Sequence, residues 1–281
     1  MINKLDHLIV AVEDIIEAES NYSKLFGANP VWRGEHKELG TINSIFNFSN
    51  TYFELLATKG SGLGADLVNH SLKENGEGLT GIVLGTEDIK KTKDHISRQG
   101  YKLGTSSEGQ GEDSENGKLR NWNNLFLPQE LTRGIFSFVI EHTKGKLDKY
   151  ENYPDTSINK LDHVVINTND SEGFIKTYRD VYGIRLALDQ TVEKWGGRML
   201  FFRLNSTTIE VIAKDDEKTP NDTLWGLAWD VENIEKTYER LIKEGFDITP
   251  VKEGRKPNTL VSTVKSNTHN IPTLLIQHLS S

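Results

Sequence analysis

The chain has 281 residues, of which 36% are hydrophobic and 26% are charged, a composition typical of a folded protein with one or two apolar cores. With 33 basic and 41 acidic residues the net charge is −8, so we expect neither a nucleic acid nor a membrane as partner. The chain contains no cysteine, which excludes disulfides, thiol nucleophiles and sulfur-ligated metal sites.

No apolar run approaches the roughly 18 residues of a membrane span. Polar residues also interrupt the N-terminal segment, where a secretory signal would be apolar. We therefore expect a cytoplasmic protein.

An internal duplication divides the chain. The segment Ile-Asn-Lys-Leu-Asp-His stands at residues 2–7 and again at residues 158–163, an offset of 156. The same offset relates further pairs without a gap: Asp14 and Asp170, Tyr22 and Tyr178, Gly27 and Gly183, Glu54 and Glu210. A polar segment containing Pro154 separates the copies, so we predict domains at residues 1–144 and 158–281.

Each half opens with an apolar strand, predicted at residues 5–12 and 161–168, and continues with an amphipathic helix that closes at a glycine. Three shorter strands complete each unit: residues 31–35, 43–48 and 51–57 in the first half, and 185–191, 198–204 and 207–214 in the second. A weaker repeat relates the segment at Gly81 to the one at Gly226, so the chain contains four βαβββ modules. Two polar stretches, residues 59–78 and 104–117, predict long loops of the kind that can cover a site.

In each half, a histidine on the first strand is followed 47 residues later by a glutamate in an apolar run: His7 and Glu54, then His163 and Glu210. A lone histidine on a strand is most often a buried structural residue. A carboxylate on an inner strand, however, is costly unless a cation or hydrogen-bond donors face it. Imidazole and carboxylate together are the ligand set of a sulfur-free divalent metal site.

This arrangement resembles the vicinal oxygen chelate superfamily, which includes glyoxalase I, bleomycin-resistance proteins and extradiol dioxygenases. The likeness covers nearly the whole chain and depends on the order of the modules, on Leu-Asp-His in each first strand, and on an aromatic or aliphatic residue before each glutamate. The motifs Gly34-Glu35-His36, Gly40-Thr41-Ile42-Asn43 and Phe138-Val139-Ile140-Glu141-His142 make the first half similar to the glyoxalase-like domain family. The second half resembles a generic glyoxalase domain. The resemblance implies an α+β fold in which four βαβββ modules pair into two domains with cupped mixed sheets.

The resemblance also implies metal ligands on the first and last strands of each module. In the first half these are His7, Glu54 and Glu141, with Ser137 as the fallback for Glu141. Gly81 also stands at a ligand position, but glycine has no side chain with which to bind a metal. The second half offers a weaker set, since an amide replaces one carboxylate: His163, Glu210 and Gln277, with Thr273 as the fallback.

An extradiol dioxygenase is the less favoured relative, because Gly226 and Gln277 stand where its second His and its Glu would be. The expected ligand set suits instead a divalent ion of unspecified identity that holds the vicinal oxygens of a small 2-oxo or 2-hydroxy compound during lyase or isomerase chemistry. In this hypothesis the catalytic residues are His36, Glu54 and Glu141. The substrate-binding residues are Thr41, Asn43, Arg120 and Trp122, of which Arg120 is either an anchor for an anionic substrate or a solvent-exposed side chain.

Two alternatives stay open. Glycine at positions 81 and 226 favours a metal-free protein that binds a small aromatic or hydrophobic compound, as bleomycin-resistance relatives do. Pairing of unlike modules would instead bring His7, Glu54, His163 and Glu210 into one four-ligand site. A homodimer is compatible with each hypothesis, and the sequence leaves the substrate, the metal and the oligomeric state unspecified.

Overall fold

A computed structural model describes residues 1–150, 154–192, 197–216 and 218–279. These residues form two eight-stranded mixed sheets, one from each half of the chain. The elements of the first half are β1 (Ile2–Ala11), α1 (Ile15–Phe26), β2 (Trp32–His36), β3 (Thr41–Asn47), β4 (Tyr52–Thr58), α2 (Leu63–Asn75), β5 (Gly78–Thr86), α3 (Ile89–Arg98), β6 (Ser107–Glu112), β7 (Leu119–Phe126), α4 (Gln129–Thr132) and β8 (Phe136–Lys144). Those of the second half are β9 (Ile158–Thr168), α5 (Ser171–Ile175) with a π-helical continuation (Lys176–Val181), β10 (Arg185–Val192), β11 (Gly197–Leu204), β12 (Thr207–Ala213), β13 (Thr223–Val231), α6 (Ile234–Lys243), β14 (Lys252–Glu253), β15 (Thr259–Val264) and β16 (Thr273–His278).

Helix α1 shows how local sequence sets these elements. Its N-cap Asp14 accepts hydrogen bonds from the backbone N–H groups of Ile16 and Glu17 at 2.8 and 3.1 Å, which satisfies donors that the first turn leaves free. Gly27 ends the helix in the left-handed region, with φ of 67°, where a side chain would be strained. The buried residues of the helix lie one turn apart on one face: Ala18, Tyr22, Leu25 and Phe26.

The strand order is β2-β3-β4-β1-β5-β8-β7-β6 in the first sheet, and the second sheet repeats it as β10-β11-β12-β9-β13-β16-β15-β14. In each sheet two βαβββ modules meet through an antiparallel pair, β1 with β5 and β9 with β13. The predicted α+β fold of four modules, paired in consecutive order, is confirmed. Because His7 and Glu54 belong to the first sheet while His163 and Glu210 belong to the second, the four-ligand site of the unlike pairing does not form.

The two sheets share one hydrophobic core. Trp229 of β13 is 1% exposed and contacts aromatic rings of the first half. The centroid of its ring lies 4.9 Å from that of Phe26, 4.7 Å from Phe48 and 5.8 Å from Phe53. The halves are therefore joined by apolar packing as well as by the polypeptide chain.

Both predicted loops contain regular structure. Residues 59–78 include helix α2, whose buried residues Ala65, Val68 and Ser71 recur at helical spacing, and residues 104–117 include strand β6. The prediction of loops was wrong because it weighed glycine and charge content above these patterns. Among the described residues, no helix is long and apolar enough to cross a membrane.

Candidate functional site

One face of the first sheet points away from helices α1 and α3, and we call it the site face. Alternate residues of a strand lie on opposite faces, so Leu8 and Val10 belong to the main core whereas Ile9 belongs to a separate cluster on the site face. His7, two residues before Ile9, lies on this face too. The other strands contribute further polar and aromatic side chains to it: Thr41, Asn43, Tyr52, Glu54, Arg120, Trp122 and His142.

Four ionisable side chains form a line of contacts across the site face. The Nδ1 atom of His7 lies 2.8 Å from Oδ1 of Asp6, and its Nε2 atom lies 3.4 Å from Oε2 of Glu54. On the other side of Asp6, the Nε2 atom of His142 lies 3.0 Å from the same Oδ1. The ring of His7 stacks on that of Tyr52 with centroids 4.3 Å apart, which fixes the plane of the imidazole.

The protonation of this line follows from Asp6. Burial raises the pKa of its carboxyl, but hydrogen bonds and charge interactions with His142 and His7 outweigh burial and hold the pKa well below the ordinary value. An ionised carboxylate can only accept, so His7 donates from Nδ1, and a neutral ring then directs the lone pair of Nε2 at Glu54. Two acceptors 3.4 Å apart repel each other, so a proton or another cation between them stabilises the pair.

Asn43 holds the far side of Glu54. Its Nδ2 group donates to Oε1 of Glu54 at 2.6 Å, and both side chains are buried. The Oδ1 atom of the same amide is buried without a hydrogen-bond partner. A bound molecule with a hydrogen-bond donor would satisfy it.

Arg120 lies at the other end of the line. Its side chain is buried, with 5% of the residue exposed, and its Cζ atom lies 5.5 Å from the ring centroid of Trp32 and 5.4 Å from that of Tyr52. The Nη2 atom is 3.5 Å from Nδ1 of His142, and Nε has no hydrogen-bond partner. Among the residues that the structure describes, no carboxylate forms an ion pair with this guanidinium.

Tyr52 does not supply the missing negative charge. Burial, and then the charge of Asp6, raise the pKa of its phenol well above the ordinary value of 10.0, while Arg120 acts in the opposite direction. The phenol is therefore neutral near pH 7. Within the described ranges, Arg120 is therefore a buried cation without an anionic partner.

A segment after β8, residues 145–150, covers the site face, and we call it the strap. The carbonyl of Asp148 accepts from Nδ2 of Asn47 at 2.8 Å, and its carboxylate pairs with Nζ of Lys118 at 2.8 Å. Leu147 packs against a cluster of three side chains on the site face: Trp32, Ile45 and Tyr52. His7 and Glu54 are both buried on the same face.

His36, Thr41 and Trp122 form a separate corner of the site. The Nδ1 atom of His36 lies 3.1 Å from Oγ1 of Thr41, and its ring meets the edge of the Trp122 indole at 6.4 Å. A Cβ atom at Gly109 would lie 2.2 Å from Nε1 of Trp122, so only glycine lets β6 lie on this indole. No contact within the described part of the chain joins His36 to Glu54.

The structure does not bring Glu141 and Gln277 to the expected ligand positions. Oε2 of Glu141 accepts from Asn123 at 3.3 Å beside the start of α3. Oε1 of Gln277 accepts from the backbone N–H of Ile234, at the start of α6, at 2.9 Å. Both side chains lie on the helix-covered faces, so each predicted ligand set lacks its third member.

The strand register shows what stands at the remaining ligand positions of the first half. In the first module His7 of β1 pairs with Tyr52 of β4, and Glu54 lies two residues further along β4. In the second module Gly81 of β5 pairs with Phe136 of β8, and Phe138 lies two residues further along β8. Glycine and phenylalanine therefore replace the histidine and glutamate of the first module. Two protein ligands are too few for a catalytic metal site, which normally has three, so these donors do not fit a metal that the protein holds alone.

The second half repeats the line of four side chains. Nδ1 of His163 lies 2.7 Å from Oδ1 of Asp162, and its Nε2 lies 3.5 Å from Oε2 of Glu210. His278 contacts Oδ2 of Asp162 at 2.6 Å. Burial raises the pKa of Glu210, although the nearby His163 opposes this shift. The second line is more open to solvent, since the side chain of His163 is 16% exposed against 3% for His7.

Asp162, Asp230 and His278 together bring three ligand atoms within 4.8 Å of one another. The Nζ atom of Lys160 already lies 2.9 Å from Oδ2 of Asp230, so an ammonium group offsets part of the negative charge of this cluster. In the first half Gly85 stands at the position of Asp230, so that half lacks the cluster.

The sequence interpretation missed two members of the line, Asp6 and His142. The repeated Leu-Asp-His contained the first signal, because the aspartate recurs together with the histidine. The second signal lay near the ends of β8 and β16, in Glu141-His142 and Gln277-His278. Only the histidine is common to these two pairs. Trp32 and Tyr52 had no signal beyond their aromatic character.

The fold and the duplicated His and Glu pairs define the class as the vicinal oxygen chelate superfamily. Residues 5–159 match the family described as glyoxalase-like domain, and residues 162–262 match the glyoxalase, bleomycin resistance protein and dioxygenase superfamily. The first match spans more than half of the chain, so the chain belongs to the glyoxalase-like domain family. No curated protein matches the sequence.

Several solved structures share the whole fold. A mutant of 4-hydroxymandelate synthase from Streptomyces coelicolor has 13% identity and a TM-score of 0.70, with 100% of this chain and 94% of that chain covered. A Mn(II)-bound glyoxalase from Novosphingobium aromaticivorans has 16% identity and a TM-score of 0.62, with 99% and 83% covered. A hypothetical protein from Staphylococcus aureus has 11% identity and a TM-score of 0.63, with 99% and 100% covered. At these identities the likeness concerns the fold alone.

Proposed function

We propose that the chain is a small-molecule-binding protein whose ligand lies on the site face of the first half, beneath the strap. The observation that carries the proposal is a set of buried polar atoms without hydrogen-bond partners. Three of them belong to this face: Oδ1 of Asn43, Nε of Arg120 and Oδ1 of Asn124. Buried polar groups in native proteins are nearly always paired, so three such atoms on one face indicate a place for a polar ligand.

The proposal is tested by comparing equivalent positions in the two halves. Binding is measured by calorimetry with a panel of small 2-oxo and 2-hydroxy compounds and on two variants, Glu54→Gln and Glu210→Gln. We expect Glu54→Gln to change the affinity for each compound that binds, and Glu210→Gln to leave it unchanged. Equal effects of both variants, or no binding by the wild-type chain, would contradict the proposal.

A second candidate is lyase or isomerase chemistry on such a compound. It is favoured by the Glu54 and His7 pair, whose facing atoms lie 3.4 Å apart on the site face. There Glu54 would take a proton from carbon next to a carbonyl, and His7, oriented by Asp6, would return it. Mass spectrometry of the compound after incubation in D2O separates the candidates, because proton abstraction and return leave deuterium on that carbon, whereas a binding protein returns the compound unlabelled.

Divalent-metal dependence, as the Mn(II)-bound glyoxalase from Novosphingobium aromaticivorans suggests, is the remaining part of this second candidate. Elemental analysis of protein purified without chelator tests it. With two protein ligands in the first half, and with the ammonium group of Lys160 paired to the three-residue cluster of the second half, we expect well below one ion per chain. One ion per chain that His7→Ala removes would establish a metal site in the first half, and loss in Asp230→Asn instead would assign the ion to the second half.

A further inference from the structure

We propose that the ligand of the first half is an organic anion, and that Arg120 binds its carboxylate beside the rings of Trp32 and Tyr52. The inference rests on the proposed function, because it names the class of molecule that the same site takes. It adds that the ligand has a negative charge beside Arg120, at the His142 end of the line.

The buried charge of Arg120 is costly in the absence of a ligand. A guanidinium keeps its charge at every pH that proteins tolerate, and burying a charge without a counter-charge strongly opposes folding. The residue is 95% buried, and the aromatic faces of Trp32 and Tyr52 stabilise the cation only in part. A bound anion from outside the chain would supply the missing counter-charge and offset this cost.

Asp6, the nearest carboxylate of the line, already has other partners and does not reach Arg120. Asp6 receives Nζ of Lys4 at 2.7 Å in addition to the rings of His7 and His142. His142 stands between Asp6 and Arg120, with its Nδ1 atom 3.5 Å from Nη2 of the guanidinium. The ring of His142 thus separates the positive charge of Arg120 from the carboxylate of Asp6.

The shape of Arg120 and of the two rings beside it also suits a carboxylate. A guanidinium is a planar fork that matches a carboxylate, and two flanking rings suit a flat group. Trp32 also approaches the orphaned amide: a Cβ atom placed on Gly34 would lie 2.6 Å from Nε1 of Trp32 and 2.7 Å from Oδ1 of Asn43. The site therefore matches a small acid that also has a hydrogen-bond donor, such as a hydroxyl group, for Asn43.

The second half provides an internal comparison. At the offset of 156, Leu188 replaces Trp32, Met199 replaces Asn43 and Thr208 replaces Tyr52. The line of Asp, His and Glu persists there, whereas the aromatic rings and the orphaned amide do not. We therefore expect the anion to bind in the first half.

The experiment measures affinity by calorimetry on the full chain with two matched pairs of probes: lactate against propane-1,2-diol, and benzoate against benzyl alcohol. Each pair differs by a carboxylate in place of a hydroxymethyl group. We expect the wild-type chain to bind the carboxylates about tenfold or more tightly than their partners, because charge-assisted hydrogen bonds are the stronger ones. Arg120→Gln should abolish this preference, and Arg120→Lys, which keeps the charge without the fork, should retain part of it.

The outcomes separate this inference from the proposed function. If the alcohols bind as tightly as the carboxylates, or if Arg120→Gln keeps the preference, the anion inference is wrong while the site itself stands. If no probe binds the wild-type chain, both fail. Should Arg120→Gln not fold, the wild-type comparison and Arg120→Lys still decide, and Glu210→Gln serves as the control that leaves both affinities unchanged.

Discussion

The imidazole of His142 donates from Nε2 to the carboxylate of Asp6 at 3.0 Å, across 136 residues of chain. The same relationship recurs between His278 and Asp162 at 2.6 Å in the second half. In both halves the aspartate on the first strand of the half thus binds a histidine on its last strand in chain order, β8 or β16, and orients that second imidazole. The unit that the duplication preserved is a carboxylate between two imidazoles, with a glutamate beyond them.

Replacing Asp6 by asparagine should destabilise the chain by about 1–3 kcal/mol at pH 7, because a buried charge-assisted network loses its centre. The folded-state pKa of Asp6 lies below its ordinary value of 3.8 despite burial, owing to its hydrogen bonds with His142 and His7. A depressed carboxyl pKa stabilises the fold fully above the unfolded value, and this contribution is lost as pH falls through the folded value. Urea unfolding should therefore show a difference from the wild type that shrinks as the pH falls below 3.8. A difference that grows below pH 3.8 would contradict the assignment.

The shared core predicts that the two halves unfold together. Trp229→Ala should cost about 3–5 kcal/mol, the range for removing a large buried aromatic side chain. Trp225 lies on the same strand with 51% exposure, so Trp225→Ala is the matched control and should change stability by less than about 0.5 kcal/mol. Calorimetric scans should show one transition for the wild type and for both variants. Two separate transitions in the wild type would mean that the halves are independent.

The fold was predictable from the sequence because duplication repeats each signal. Asp14 and Asp170 cap equivalent helices, and Gly27 and Gly183 end the equivalent helical segments in the left-handed region. Two copies of a pattern reduce the chance that either copy is accidental. Helix α2 occurs once in the chain and had no second copy to support it.

The third ligand was not predictable because a strand pattern fixes alternation without fixing which phase faces the site. Glu141 and His142 are neighbours on β8, and a shift of one residue exchanges their faces. The resemblance favoured the carboxylate as the ligand, whereas the pairing of β8 with β5 directs Phe138 and His142 to the site face. Register of this kind depends on tertiary packing, which a single sequence does not contain.

The strap predicts a gated association. Lys118 and Asp148 are both about half exposed, so their ion pair is worth about 0.4–1 kcal/mol to the closed strap. Lys118→Met should therefore raise the association rate of benzoate about twofold to fivefold, measured by stopped-flow quenching of tryptophan fluorescence. Lys59→Met removes an exposed ion pair with Glu35 and should leave the rate unchanged. Equal rates in all three proteins would show that the strap does not limit access.

The last prediction uses Arg120 in the absence of ligand. If this guanidinium serves a bound anion, it is a cost to the empty protein, and Arg120→Met removes that cost while keeping much of the apolar stem between Trp32 and Tyr52. The variant should be at least as stable as the wild type in urea unfolding, because replacing a buried unpaired charge by an apolar side chain of similar length is neutral or stabilising. Adding benzoate should then raise the Tm of the wild type alone, since only a protein that binds the ligand is stabilised by it. A loss of more than about 2 kcal/mol in Arg120→Met without ligand would instead assign Arg120 a structural role, with its contacts to the two rings and His142 as the reason for its burial.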